Sequence, residues 1–152
     1  MKKELVKDWM TKDVVTISPD TTLPEAHKIM TEQTIRRLPV LNKHGRLVGI
    51  VTRGDVRGAE PSQATTLSIW ELNYLLAQLK VTEIMTPDPI AIPQTATVGS
   101  AARTMLENQI SGLPIVTERG ELVGIITESD IFRMVTLNEW GVSEAEEMEL
   151  VL

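Results

Sequence analysis

Hydrophobic residues near the start of the chain follow first the pattern of a strand and then that of a helix. Val14–Ser18 is rich in β-branched residues and is followed by a Pro-Asp pair, which predicts a short strand. Thr22 and Glu25 form the spacing of a capping box, with Pro24 inside the first turn. The predicted helix runs to about Gln33. Its apolar face consists of Leu23, Ala26, Ile29 and Met30.

Two apolar runs follow this helix, and turn residues separate them. Leu38–Leu41 and Leu47–Val51 show no clean alternation, which is typical of strands buried on both faces. Asn42–Gly45 supplies the residues of a tight turn, so the two runs are predicted to form a hairpin. Asp55 is then predicted to open a short helix, where its carboxylate accepts from free N–H groups, and Gly58 helps to end it.

The segment Leu47–Asp55 (LVGIVTRGD) returns almost unchanged as Leu122–Asp130 (LVGIITESD), 75 residues later. This offset holds from Val6 to Gly58 without a gap, and 19 of these 53 positions are identical. Each copy reads strand, helix, strand, strand, helix, so the sequence predicts an α/β fold made from a tandem repeat that packs as one pseudo-two-fold module. The second copy is predicted to contain a strand at Pro89–Ile92, a helix face of Val98, Ala101, Ala102 and Met105, a hairpin of Leu113–Val116 and Leu122–Ile126 around Glu118–Gly120, and a helix from Asp130 to about Leu137.

The repeats set the predicted domain boundaries. Repeat 1 covers residues 6–58, a linker loop and bridging helix cover 59–80, repeat 2 covers 81–137, and a tail covers 138–152. Ser68 and Glu71 form a second capping box, which opens a bridging helix that reaches Lys80. The predicted apolar face of that helix is Ile69, Leu72, Leu76 and Leu79. A third possible cap at Ser143–Glu146 lies in the acidic tail.

Composition narrows the function classes. The chain has 42% hydrophobic and 24% charged residues, which is normal for a globular protein, and its net charge is −6. An acidic total argues against a nucleic-acid binder, because phosphate backbones are held mainly by Lys and Arg. The absence of cysteine excludes disulfides and thiolate sites and fits a reducing compartment. Without a signal-peptide pattern or an apolar run of ~20 residues, we expect a cytoplasmic protein with no membrane association.

Few other residues carry candidate chemistry. His27 and His44 stand far apart and are expected to be exposed rather than metal ligands. Trp9, Trp70 and Trp140 are interpreted as packing or interface residues. The sequence shows no nucleophile–base pair, phosphate-cradling Gly-rich loop or metal-ligand spacing, so we expect no catalysis, no metal and no required cofactor.

A Thr and an Asp three residues apart occur where a predicted strand enters a helix, at Thr52/Asp55 and again at Thr127/Asp130. A carboxylate can accept hydrogen bonds from both hydroxyls of a ribose, and a helix N-terminus suits a phosphate. The alternative is that each pair only caps the following helix. Duplication copies caps as well as sites, so the residues themselves leave both interpretations open.

The Leu-Pro before one strand and the Gly-Ile-x-Thr-x-x-Asp after the next make each copy resemble the cystathionine-β-synthase (CBS) domain. Two copies in tandem resemble a Bateman module, and the resemblance covers about residues 6–137. The bridging helix is similar to that of CBS proteins of the acetoin-utilisation type. The resemblance implies that the Asp binds ribose hydroxyls, that Ser and Thr positions face a phosphate, and that apolar residues enclose a purine. It also implies flat homodimers that pair through helices.

In this family each cleft draws on both repeats, which implies two sets of ligand-binding residues. One cleft would combine Ile125, Thr127, Ser129 and Asp130 with Thr16, Ser18, Pro19, Ile35, Arg36 and Arg37. The other would combine Ile50, Thr52, Gly54 and Asp55 with Ile90, Ala91, Pro93, Ile110, Ser111 and Gly112. The first cleft is favoured, because it has two hydroxyls beside the Asp and an arginine pair that would meet phosphate charge.

The resemblance implies a regulatory module that binds an adenosyl nucleotide, with AMP, ADP or ATP as first choices, and passes its occupancy to a partner protein through the geometry of a homodimer. S-adenosylmethionine, NAD and cyclic di-AMP need the same sugar and purine contacts. A second hypothesis is a ligand-free dimerisation scaffold, and a third is an enzyme acting on a nucleotide.

Overall fold

The computed structural model of the chain describes residues 4–59 and 67–137. These residues divide into two compact units. Within the described chain, unit 1 contains residues 4–13, 90–118 and 123–137, and unit 2 contains residues 14–59, 67–89 and 119–122. Each unit is therefore assembled from separate stretches of sequence.

Unit 2 is built on a three-stranded sheet in the order β1–β2–β3. The strands β1 (Arg37–Leu41) and β2 (Leu47–Thr52) form the predicted antiparallel hairpin, and β3 (Thr86–Pro87) pairs with β2. The helices are α1 (Leu23–Gln33), α2 (Arg53–Gly58) and α3 (Ile69–Gln78). The buried core consists of Ile17, Leu23, Ala26, Met30, Leu38, Val40, Val51, Val56 and Val81.

Unit 1 also contains a three-stranded sheet, in the order β4–β5–β6. The strand β4 (Ile92–Pro93) runs parallel to β5 (Gly112–Val116), and β6 (Leu122–Thr127) lies on the other side of β5. The helices are α4 (Val98–Asn108) and α5 (Glu128–Leu137). The buried core consists of Val6, Ile92, Val98, Ala101, Met105, Leu113, Ile115, Ile126 and Met134.

The predicted helix starts at Thr22 and Ser68 are confirmed. The Thr22 side chain accepts from the amide of Glu25, while the Thr22 amide donates to the Glu25 carboxylate at 3.0 Å. Ser68 and Glu71 make the same reciprocal pair at the start of α3. These contacts satisfy amides that a helix would otherwise leave without partners at its N-terminus.

The N-terminal segment of each repeat packs in the unit that contains the other repeat's helices. Val6 is fully buried in unit 1, where its amide donates to the carbonyl of Ala96, and Thr11 pairs with Ile125 through two backbone hydrogen bonds. Val81, the equivalent of Val6, is fully buried in unit 2, where its amide donates to the carbonyl of Thr21. We call residues 4–11 the first leader and residues 80–87 the second leader.

The first strand of each repeat is much shorter than predicted, and proline explains the difference. Ile17 makes one parallel bridge, with its amide donating to Pro39 and its carbonyl accepting from Leu41. The next bond toward the N-terminus would need an N–H from Pro39, which has none, so the ladder stops. Pro114 has the same place beside β4, which begins at Ile92 instead of the predicted Pro89.

The bridging helix differs from its prediction at one end. Leu72, Leu76 and Leu79 are partly buried as predicted, but Ile69 is 68% exposed. The amide of Leu23 donates to the carbonyl of Leu79, so the C-terminal end of α3 lies against the start of α1. Ile69 is about 10 Å along the helix from Leu76 and extends past this contact.

Two predicted features fall on residues that lie outside the described ranges: much of the loop at 58–67, and the tail with its possible cap at Ser143 and with Trp140. No helix of the described chain is long and apolar enough to cross a membrane.

Candidate functional site

The turn at residues 52–55, called here the Thr52 turn, joins β2 to α2 through a reciprocal cap. The Thr52 amide donates to Asp55 Oδ2 at 2.8 Å, and the Asp55 amide donates to Thr52 Oγ1 at 3.2 Å. Asp55 is partly buried, and its Oδ1 has no hydrogen-bond or ion-pair partner among residues 4–59 and 67–137. The cap therefore uses one carboxylate oxygen and leaves the other available.

The equivalent Thr127 turn, residues 127–130, joins β6 to α5 and has a more heavily bonded carboxylate. The Thr127 amide donates to Asp130 Oδ2 at 2.9 Å, and the Thr127 hydroxyl lies 3.3 Å from the same oxygen. Asp130 is buried, with only 6% of its surface exposed. The reciprocal cap, one of the two interpretations left open by the sequence, is thus present at the Thr52 turn, whereas at the Thr127 turn the Asp130 carboxylate bonds the amide and hydroxyl of Thr127.

Arg133 sits one helical turn after Asp130 and occupies the other carboxylate oxygen. Its Nη2 lies 3.0 Å from Asp130 Oδ1 and 3.3 Å from the carbonyl oxygen of Trp9 in the first leader. Repeat 1 has Gly58 at the equivalent position. Arg133 was not among the sequence-predicted site residues, although a cation three positions after an Asp on a helix is a recognisable signal for this ion pair.

Each turn also adjoins the residues just before the first hairpin strand of its own repeat, β1 or β5. In unit 1 the Glu128 amide donates to the carbonyl of Ser111 at 3.1 Å, and in unit 2 the Arg53 amide donates to the carbonyl of Arg36 at 2.9 Å. The structure therefore brings Ser111 to the Thr127 turn and Arg36 to the Thr52 turn. The amides of Arg53 and Glu128, in the first turns of α2 and α5, are therefore already bonded. The sequence interpretation had left such helix amides free for a phosphate.

The predicted ligand-binding residues distribute between the units as follows. Unit 2 contains Thr16, Ser18, Pro19, Ile35, Arg36, Arg37, Ile50, Thr52, Gly54 and Asp55. Unit 1 contains Ile90, Ala91, Pro93, Ile110, Ser111, Gly112, Ile125, Thr127, Ser129 and Asp130. The pairing of residues into two clefts stays a prediction.

Most of these side chains are accessible to a ligand. Thr16, Ser18, Arg36 and Ser129 are exposed, whereas Gly112 is buried beside its strand. The guanidinium of Arg36 makes no ion pair within the described chain, and the same is true of Arg53. Unit 2 therefore holds unpaired positive charge near the Thr52 turn.

A groove lies on the α4–α5 face of unit 1, with a volume of about 550 Å³. Its lining is mainly apolar, and Leu106 and Phe132 are 81% and 66% exposed. Ile110 and Ser111 line one part of it, so two residues predicted to contact a ligand also belong to this surface. The equivalent positions on α1 and α2 are Thr31 and Arg57, which makes the matching face of unit 2 more polar.

The histidines and tryptophans singled out in the sequence differ in their exposure. His27 and His44 are both exposed, on α1 and in the β1–β2 turn. Trp9 packs against the core of unit 1, while Trp70 is 81% exposed and makes no core contact in unit 2. No cluster of metal-ligating side chains occurs in the described part of the chain.

A protein-family model described as the CBS domain matches residues 6–62 and 81–136. The chain belongs to the CBS domain family. The α/β fold predicted from the repeats, with one CBS domain per repeat, is confirmed.

Two curated relatives show different contexts for such a pair. A CBS domain-containing protein of Dictyostelium discoideum is 36% identical over 133 residues, which cover 88% of this chain and 92% of that protein. An inosine-5'-monophosphate dehydrogenase of Korarchaeum cryptofilum is 37% identical over 126 residues, which cover 83% of this chain and 23% of the enzyme. The chain thus spans about a quarter of that enzyme's length.

Three solved structures share the fold. The CBS domain pair of protein MJ0100, in complex with 5'-methylthioadenosine and S-adenosyl-L-methionine, has 31% identity and a TM-score of 0.73, covering 89% of this chain and 98% of that one. CBSX2 in complex with AMP has 27% identity and a TM-score of 0.76, covering 90% and 99%. An acetoin utilization protein (AcuB) from Vibrio cholerae has 28% identity and a TM-score of 0.73, covering 91% and 93%. The resemblance to CBS pairs, including one of the acetoin-utilisation type, is confirmed.

Proposed function

We propose that this CBS pair is a regulatory module that binds an adenosyl nucleotide at its Thr-x-x-Asp turns. The observation that carries the proposal is the carboxylate of Asp55, which is held in place through Oδ2 and whose Oδ1 has no partner among the described residues. A fixed, partly buried carboxylate oxygen suits a ribose hydroxyl, because the donor meets an acceptor that needs no reorganisation. The structures of relatives with AMP and with S-adenosyl-L-methionine support the same adenosyl class.

The residues around the Thr52 turn have complementary roles in this proposal. Arg36 and Arg53 supply positive charge for a phosphate, since guanidinium groups bind phosphate through paired hydrogen bonds. Ile50 and Ile35 are partly buried and supply apolar surface for a purine. In unit 1, Ile110 and Ile125 would supply apolar surface and Ser111 a neutral hydroxyl around Asp130. This grouping by unit differs from the predicted clefts, which pair Ile35 and Arg36 with Asp130, and Ile110 and Ser111 with Asp55.

AMP, ADP and ATP remain the first choices of ligand. S-adenosylmethionine shares the adenosine group and differs in carrying no phosphate, and NAD and cyclic di-AMP carry the group in larger molecules. The shared sugar and purine would give recognition of the whole adenosyl class. The arginines would make the phosphorylated members bind most tightly.

The output would be regulatory, not catalytic. A ligand that binds one conformation more tightly shifts the population of states, and a partner protein reads that shift. No cofactor would be required. The acidic, cysteine-free composition leads us to propose a cytoplasmic location, and nucleic acid is not an expected partner.

A second function, dimerisation of the module, is favoured by the α4–α5 groove. Leu106 and Phe132 expose large apolar side chains on one face, and such patches mark association surfaces. A second copy of this chain is the proposed occupant, because the acidic Glu128 at this face is matched at the equivalent face of unit 2 by Arg53, which makes no ion pair with a described residue. The scaffold hypothesis keeps this dimer and omits the ligand.

A thermal-shift panel tests the function. AMP, ADP, ATP, S-adenosylmethionine, NAD and cyclic di-AMP would each be added to the wild type, Asp55→Ala and Asp130→Ala. A ligand at 100 times its dissociation constant adds about 2.7 kcal/mol to the free energy of unfolding. We expect an adenosyl ligand to raise the melting temperature and one Asp variant to lose the effect. A flat panel would favour the ligand-free scaffold.

A further inference from the structure

The two Thr-x-x-Asp turns differ in what their carboxylates already bind. Asp130 has donors on both oxygens: the amide and hydroxyl of Thr127 on Oδ2, and the guanidinium of Arg133 on Oδ1. Asp55 has a donor on Oδ2 and, within the described residues, none on Oδ1. The difference arises from one position, which is arginine in repeat 2 and glycine in repeat 1.

We propose that Arg133 is a specificity-determining residue that makes the two turns unequal. This inference rests on the proposed function. Oδ1 of Asp55 can accept a hydrogen bond from an uncharged ribose diol directly. Oδ1 of Asp130 can do so only after the guanidinium of Arg133 has left it. The Thr52 turn in unit 2 would then bind the ribose more tightly than the Thr127 turn in unit 1.

Three features make the guanidinium hard to displace. Asp130 is 6% exposed, so its charge depends on nearby donors more than on water. A guanidinium adds the attraction of opposite charges to its hydrogen bond with the carboxylate, whereas a neutral hydroxyl gives the hydrogen bond alone. The same nitrogen of Arg133 also lies 3.3 Å from the carbonyl of Trp9, and the first leader that carries this carbonyl is fixed by the buried Val6.

Displacement nevertheless remains possible. About half of the Arg133 side chain is exposed, at 55%, so water can solvate the guanidinium once it leaves. The amide and hydroxyl of Thr127 would still hold Oδ2, so these contacts at the start of α5 survive the exchange. Arg133 therefore lowers the affinity of the Thr127 turn for a ligand but does not prevent binding.

Adenosine is the probe, because it has the diol and the purine but no phosphate that could attract Arg133. Asp55→Ala isolates the Thr127 turn, and Asp130→Ala isolates the Thr52 turn. Into the first background we would introduce Arg133→Ala, and into the second Gly58→Arg. A side chain at Gly58 has open space, since an added Cβ meets no atom within 4 Å. Adenosine binding to all four variants and the wild type would be measured by calorimetry.

We expect Arg133→Ala to tighten adenosine binding at the Thr127 turn and Gly58→Arg to weaken it at the Thr52 turn, each by roughly tenfold, the size of one charge-assisted hydrogen bond. Arg133→Lys in the Asp55→Ala background should fall between, because lysine keeps the charge without the planar fork. Circular dichroism would check folding, and if Arg133→Ala fails to fold, the Gly58→Arg arm decides.

The outcomes separate the two proposals. Adenosine binding that neither substitution changes would overturn the role of Arg133 and leave the proposed function standing. Weaker binding after Arg133→Ala would overturn it too, because Arg133 would then be a ligand contact and not a competitor. Absence of adenosine binding to the wild type and to both backgrounds would overturn the proposed function and the role of Arg133 with it.

Discussion

The side chain of Met10 lies directly over Gly124 in β6. A Cβ added at Gly124 would come 2.5 Å from Met10 Sδ and 2.9 Å from the carbonyl oxygen of Thr11. The first leader thus rests on the sheet of unit 1 at a point where only glycine fits. In unit 2, Met85 of the second leader lies over Gly49 in β2.

Gly124→Ala should destabilise the protein. The Thr11 carbonyl accepts a hydrogen bond from Ile125, so the leader cannot retreat without losing this pairing. We expect a loss of about 1–3 kcal/mol in the free energy of unfolding, measured by urea denaturation. Gly58→Ala is the matched control, because an added Cβ there meets nothing within 4 Å and should be neutral or slightly stabilising. Equal effects of the two substitutions would contradict this account.

Gly49→Ala should cost less than Gly124→Ala. The three atoms nearest the added Cβ all belong to the Met85 side chain, which is unbranched and can turn aside. Shortening that side chain in the double variant Gly49→Ala/Met85→Ala should recover part of the loss, so the two changes should be non-additive in a double-mutant cycle. A loss as large as that of Gly124→Ala, with no recovery, would mean that the backbone of the second leader blocks the position.

Asp130→Asn should lower stability more than Asp55→Asn in the absence of ligand. The Asp130 carboxylate is buried against a guanidinium, and an amide in its place would present N–H groups or an uncharged oxygen to Arg133. Hydrogen bonds to charged groups contribute about 1.5–3 kcal/mol, and a half-used carboxylate such as that of Asp55 should contribute about 1 kcal/mol. Urea unfolding of both variants measures the difference. The reverse order would contradict the bonding described for the two turns.

Phe132→Glu should convert the proposed dimer to a monomer. A carboxylate in the α4–α5 groove would need to lose its water when the apolar surface is covered. Light scattering coupled to gel filtration measures the mass directly. Trp70→Glu is the control, since Trp70 is an aromatic residue of unit 2 that is 81% exposed outside this groove. Dissociation by Trp70→Glu instead would move the association surface to α3.

Much of the fold was predictable because its signals are local. Thr22 with Glu25 and Ser68 with Glu71 fix helix starts through contacts three residues apart, and Asn42–Gly45 fixes a hairpin in the same way. The first strand was predicted too long, because its end depends on the missing N–H of Pro39 in a different strand. Exposure of Ile69 depends likewise on a distant contact, that of the C-terminal end of α3 with the start of α1.

The candidate site was likewise predictable only where its signals are local in the sequence. The Thr and Asp of each turn were identified from their spacing, and in both turns the Thr amide bonds the Asp carboxylate. Whether a carboxylate oxygen remains open could not be predicted so easily, because the answer at Asp130 depends on Arg133 and on a backbone carbonyl 124 residues away from it. The sequence favoured the Thr127 turn for its hydroxyls, whereas the structure gives the Thr52 turn the more available oxygen.

Each leader packs in the unit that contains the other repeat's helices, and this arrangement affects the order in which the units can fold. The first leader is synthesised before all of unit 2, yet its partners Ala96, Ile125 and Arg133 come far later in the chain. Contacts so distant in sequence form slowly, because a long loop must close first. Unit 1 therefore cannot be completed until the ribosome has finished both repeats. Until then Val6, which is buried in unit 1, and Trp9, which is half-buried there, lack their native packing partners.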